Sequence, residues 1–95
     1  MKINCKIVIR KAEPYPGGWS VEYGPDTFTY CGTYLATGYS ELRAELDRVA
    51  ALLVSDSRLA AWPGVEVAAE LPRGQRRPNG WTNNGENTCV RAKIA

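Results

Sequence analysis

The stretch Thr27–Val54, TFTYCGTYLATGYSELRAELDRVAALLV, decides the fold, because the hydrophobic period changes within it. In its first part Phe28, Tyr30 and Tyr34 fall on one face and Thr27, Thr29, Cys31 and Thr33 on the other. Aromatic and β-branched residues at period two predict a strand over 27–34. Beyond it, Leu42, Leu46, Val49 and Leu53 recur at helical spacing with Ala50 beside them. That pattern predicts an amphipathic helix over Glu41–Val54. Ser40 is the expected N-cap, and Glu41 sets a carboxylate at the positive end of the helix dipole. Arg48 stands three residues after Glu45, a spacing that supports an ion pair.

Strands flank this unit on both sides. Upstream, residues 2–11 place Ile3, Cys5, Ile7 and Ile9 on one face and Lys2, Asn4, Lys6 and Arg10 on the other, with Val8 as the exception. This is the pattern of a half-buried antiparallel strand. Pro14, Pro16, Gly17 and Gly18 predict a turn, and Trp19–Tyr23 a second strand with Trp19, Val21 and Tyr23 on one face. Gly24-Pro25-Asp26 turns the chain into the third strand. Connections this short predict a meander of the three. Downstream, Asp56–Trp62 reads as a short helical turn stopped by Pro63-Gly64. Val65–Leu71 then reads as a strand with Glu66 and Glu70 on its polar face, and Thr88–Ile94 as a last strand with Arg91 and Lys93 on its polar face. The order β-β-β-α-β-β defines an α+β fold: a mostly antiparallel sheet of about five strands packed on one main helix, in a single domain over 1–95.

Width poses a problem for this architecture. Five strands about 4.8 Å apart make a sheet roughly 20–24 Å wide. One helix is about 10–12 Å across with its side chains. The helix therefore covers about half of the apolar face. The Asp56–Trp62 turn, a loop residue or another chain is expected to cover the rest, and a homodimer is one such arrangement.

Composition narrows the function. The chain of 95 residues is 44% hydrophobic and 23% charged, ordinary values for a globular domain. A net charge of +2 is too small to demand nucleic acid as a partner. There is no histidine. That removes the commonest general base, the commonest metal ligand and the Ser-His and Cys-His nucleophile pairs. No GxGxxG or P-loop stands in the sequence. A non-catalytic protein with no metal and no cofactor is expected. Cys5, Cys31 and Cys89 are odd in number and form no CxxC pair, which argues against a disulfide framework or a zinc site and for reduced thiols in the cytoplasm. The N-terminus has no signal-peptide core, and no run approaches the ~18 apolar residues of a membrane span.

The candidate site is the segment Pro72–Asn87, PRGQRRPNGWTNNGEN. Strands are usually joined by about 2–5 residues, so this segment is long. Arg73, Arg76, Arg77 and Trp81 are of the residue types that dominate interface hot spots, and arginine also reads phosphate in a fork geometry. The competing reading is a hairpin tip, with Asn79-Gly80 and Asn84-Gly85 as turn formers and Trp81 tucked onto the sheet as a flap. A secondary basic patch would join Lys2, Lys6 and Arg10 to Arg91 and Lys93 if the first and last strands are neighbours. Otherwise these cations pair with Glu22, Glu66 and Glu70 across strands. Trp19, Tyr23, Phe28, Tyr30 and Tyr34 form either core or a base-stacking platform, and core is the commoner use of aromatics at this period.

KIVIRKAE, GGWSVEY and CGTYLATGYSELRAELDRVAALL together resemble the HicB-like antitoxin domain, a small relative of the ribonuclease H-like fold. They match its opening strand, its Gly-Gly-aromatic second strand and its glycine-threonine approach to the helix. The resemblance covers residues 2–54. Gly24-Pro25-Asp26-Thr27 stands where the family has a proline-glycine-cysteine segment, and no helix-turn-helix or ribbon-helix-helix pattern follows in this sequence. The resemblance implies a domain that binds and masks a partner protein, and it transfers no site residue. The expected function is thus a small non-catalytic interaction or inhibitor protein, of antitoxin-like bacterial or phage type. It would dock its basic loop and a sheet edge on a partner protein. The alternative is a nucleic-acid-binding module that uses the basic loop and the basic sheet face.

Overall fold

A computed structural model describes residues 2–24 and 27–94. It shows an α+β fold: five antiparallel strands and one helix. The strands are β1 (Ile3–Tyr15), β2 (Gly18–Val21), β3 (Phe28–Ala36), β4 (Gly64–Glu70) and β5 (Cys89–Lys93), with the helix α1 (Tyr39–Leu53) between β3 and β4. Pro25 and Asp26, from the expected turn before β3, lie outside the described residues.

β1 runs four residues beyond its expected end at Lys11. Ala12–Tyr15 find partners in β2, with Ala12 opposite Val21 and Tyr15 opposite Gly18. Pro16-Gly17 makes the tight turn between them, and Gly17 takes a φ of 101°, which glycine adopts without steric cost. The expected meander does not form. β3 passes β2 and pairs with the first half of β1, from Ile3 opposite Ala36 to Ile9 opposite Phe28. β1 is long enough to serve both strands along one edge, and its other edge pairs with β4 from Lys6–Glu70 to Ala12–Gly64. Two bulges insert extra β3 residues opposite the Cys5–Val8 part of β1. β5 pairs only with β4, so β4 separates β1 from β5.

The core lies between the sheet and α1. Ile3, Cys5, Ile7 and Ile9 of β1 and Val65, Val67 and Ala69 of β4 point the same way and meet Leu42, Leu46, Val49 and Leu53. α1 begins two residues before its expected start, with Gly38 at the N-cap and no side-chain cap. Ser40 is therefore not the cap. Glu41 instead reaches back and accepts hydrogen bonds from the Thr37 N–H and hydroxyl, which closes the first turn from outside. The Glu45–Arg48 pair forms, at 2.6 Å.

The rest of the apolar face is covered from within the chain. Leu59, in a 3₁₀ turn at Ser57–Leu59 capped by Asp56, is buried in the core. Trp62 and Trp81 pack against the same core from either side, and Trp62 also meets Phe28 with ring centroids 6.3 Å apart.

The opposite face of the sheet is more buried than alternation suggests. Val8, Arg10, Ala12, Glu66 and Ala68 are all nearly inaccessible. Gly64 shows how closely this face is covered. A Cβ there would come within 2.7 Å of the Trp19 ring and within 2.9 and 3.0 Å of the Ala12 and Ala92 carbonyl oxygens. The aromatics expected in the core do not all reach it. Trp19 and Tyr23 lie on the face away from α1, whereas Tyr23, Phe28 and Tyr30 stay substantially exposed.

Candidate functional site

The segment 71–88 is ordered by three turns in series. Gln75, Trp81 and Gly85 each donate a backbone hydrogen bond to the carbonyl three residues earlier, that of Pro72, Pro78 and Thr82. The third residue of each turn has positive φ: Gly74 at 82°, Gly80 at 84° and Asn84 at 61°. Glycine tolerates this region freely and asparagine better than most residues, so these residue types fix the turns. Thr88 closes the segment. Its buried hydroxyl donates to the Thr82 carbonyl and accepts from the Gly85 N–H.

The loop is also tied to the body of the protein at three places. The Tyr39 hydroxyl donates to the Asn79 carbonyl at 2.9 Å, and Arg43 donates to the Glu86 carbonyl at 2.9 Å. The Asn84 amide donates to the Tyr23 hydroxyl at 3.2 Å. Trp81 packs against Tyr39 with centroids 6.4 Å apart, and its indole N–H donates to the Asn83 side chain. Trp81 is thus both a flap on the core and a wall of what lies outside it.

Outside it lies a cleft of about 490 Å³ between the loop and the sheet face away from α1. Ala68 and Arg10 form the floor, with Lys6 and Glu70 beside them. Tyr23 and Trp81 stand as walls, and Arg73, Arg77, Asn83 and Asn84 make the rim. Arg10 is nearly buried and held on every side. It donates to Glu66 at 3.2 Å and to Glu70, and its guanidinium lies 4.8 Å from the Tyr23 ring centroid. Burial alone would lower its pKa, but Glu70 and Glu66 outweigh burial and push it up. Arg10 is therefore a fixed positive charge. Lys6 lies 3.8 Å from Glu70, a partly exposed contact that a ligand carboxylate can replace. Arg73 and Arg77 have no carboxylate partner among the described residues.

The structure sorts the sequence candidates into three places. Arg73, Arg77 and Trp81 line the cleft together with Lys6 and Arg10. Arg76 turns away, and with Lys2, Gln75 and Arg77 it lines a second, shallower hollow of about 310 Å³. Arg91 and Lys93 belong to neither. The proposed five-cation patch required β1 and β5 to be neighbours, and β4 stands between them with Glu66 and Glu70. Glu66 takes up Arg91 at 3.0 Å as well as Arg10, so much of that charge is neutralised across strands. Sequence reasoning missed Tyr23, Asn83 and Asn84 as parts of the cleft. Asn84 had one readable signal, its place in an Asn-Gly pair where a left-handed residue was expected. Tyr23 stands among the candidate stacking aromatics, but nothing local ties it to this loop or to Arg10 of β1.

No helix is long and apolar enough to cross a membrane among the described residues. No family model, curated protein or solved structure matches the chain.

Proposed function

We propose that this domain is a non-catalytic binding module that holds an acidic segment of a partner protein in the cleft beneath the 72–87 loop. One observation carries this reading. Arg73 and Arg77, without carboxylate partners among the described residues, stand on a tied-down loop and line one cleft with Lys6, Arg10, Tyr23 and Trp81. Carboxylates of the partner would engage the rim arginines in fork geometry, and an apolar side chain would fit between the aromatic walls. Since the loop is already ordered, little entropy is lost on binding, which favours affinity. The resemblance of residues 2–54 to an antitoxin domain supports the same role, binding and masking a partner protein. Such a protein would be an inhibitor or regulator.

The side-by-side arrangement of arginines and aromatics also supports a second reading, a single-stranded nucleic acid whose bases stack on Trp81 and Tyr23. Salt separates the two. Four phosphate contacts would weaken binding roughly 50–150-fold between about 50 and 200 mM salt. The decisive experiment is capture from lysate with and without nuclease, followed by titration of the captured partner, or of an oligonucleotide, against wild type and the Arg73→Glu/Arg77→Glu and Trp81→Ala variants. The protein reading expects nuclease-resistant capture, a salt dependence shallower than that of four phosphate contacts, and a loss of at least tenfold in each variant. Capture abolished by nuclease, or unchanged in both variants, would overturn it.

A further inference from the structure

We propose that β3 and the adjoining flank of α1 form a self-complementary surface through which two copies of this chain associate about a twofold axis. None of these residues lines the cleft, so the inference goes beyond the proposed function. β3 pairs with β1 on one side only, and its outer edge has no partner among the described residues. Edge strands of monomers are usually guarded by charge, proline or bulges, and of these β3 has only its two bulges. Residues 27–37, TFTYCGTYLAT, contain neither a charge nor a proline. Of the other edge strands, β5 carries Arg91 and Lys93 and β2 is only four residues long. Phe28, Tyr30 and Leu35 of β3 are 40%, 41% and 51% exposed. On the helix, Glu41, Glu45, Arg48 and Leu52 share one stripe by their spacing, and Leu52 is 54% exposed. Four of the six exposed large apolar residues thus lie on this strand and this stripe, with Leu35, opposite Asn4, on the sheet face away from α1, and Tyr15 and Tyr23 elsewhere.

Charge indicates that the occupant is a second copy. α1 runs back along β3, so Glu41 and Glu45 lie beside Tyr34, where they add to burial in raising its phenol pKa. Arg48 lies beside Tyr30 at the other end, held mainly by Glu45. The rim therefore carries Glu41, which has no cation partner among the described residues, at one end and Arg48, already paired with Glu45, at the other. A twofold axis through the middle of β3 sets two rims antiparallel, and Arg48 of each copy then faces Glu41 of the other. Identical patches that match in this way form an isologous, closed contact. The β3 bulges break the ladder into short runs, so side chains carry the contact more than a continuous set of backbone bonds does. Nine residues of strand span about 30 Å. With a depth of roughly 12 Å each copy buries only about 350–400 Å², half of a standard interface. The association is accordingly weak and transient.

Sedimentation equilibrium from about 5 to 500 μM protein at low salt tests this by mass action. The expected result is a monomer–dimer equilibrium that Tyr30→Lys abolishes without changing the circular dichroism. Arg48→Glu and Glu41→Arg should each weaken association at least fivefold. An equimolar mixture of these two variants should restore it, because each supplies the charge that the other lacks. A pure monomer across the whole range would overturn the proposal. So would a dimer indifferent to Tyr30→Lys, or a mixture of charge variants that stays monomeric.

Discussion

Glu66 illustrates how far a single residue can depart from what its pattern suggests. Alternation along β4 places it on the polar face, and it does lie there, yet it is 0% exposed. Its charge is tolerated because Arg10 and Arg91 supply charged hydrogen bonds from the two neighbouring strands. The direction of the side chain was legible from residues 65–71 alone. Its burial was not, because Tyr23 and Trp19, which cover that face, come from a different part of the chain. Removing Glu66 leaves Arg91 without a carboxylate and Arg10 with Glu70 alone, and breaking a buried ion pair costs about 3–5 kcal/mol. Glu66→Ala should therefore lower the unfolding free energy measured by urea titration by about that amount. Lys93→Ala, on the exposed end of β5, should leave it unchanged.

Among the elements, the 72–87 loop and the strand order show where local patterns stop informing. The Asn-Gly pairs marked two of the three turns correctly, since glycine and asparagine suit positive φ whatever surrounds them. The anchoring of the loop to Tyr39, Arg43 and Tyr23 had no local signal, as those residues are 40, 43 and 61 positions distant in sequence. The meander failed for a related reason. Short connections say that strands are near one another, but they do not say which edge of a long strand each will take. Thr88 supports the loop from its far end, where its hydroxyl meets both Thr82 and Gly85. Thr88→Val keeps the volume and removes these bonds, which leaves polar groups unsatisfied at about 1–3 kcal/mol. Hydrogen exchange should then quicken at Trp81 and Gly85 while the amides of β1 keep their protection.

Across the whole molecule, the fold class was readable because period two and period 3.6 hardly overlap in this sequence. The covering of the sheet was only half readable. The Asp56–Trp62 turn and the loop with Trp81 stand among the expected covers beside another chain, and Leu59, Trp62 and Trp81 do complete the core that α1 leaves open. That both segments serve was not readable from their positions. Stability at high pH belongs to this scale, since the two buried thiols lie on opposite faces of the sheet. Burial, with Cys31 adding to it, pushes Cys5 up from 9.0 to about 11. Burial and then Glu66 push Cys89 up from 9.0 to about 12. Both raised values mean that the fold favours the protonated thiol. Their contribution is complete below pH 9 and is lost as pH rises through 11 to 12. The melting temperature should hold to about pH 9 and fall beyond it, while Cys31 alone reacts with a thiol reagent in the native state at neutral pH.

The central place of β1 also bears on how the protein is made. β1 leaves the ribosome before the other strands, yet its Lys6–Ala12 edge waits for β4, whose last residue is Glu70. Until then Ile3, Cys5, Ile7 and Ile9 can meet only β3 and an undocked α1. Pairing of this kind is distant in sequence, and distant pairing slows folding. The nascent chain therefore passes through an interval with its longest apolar strand half covered, the state in which small β-rich domains are most prone to aggregate.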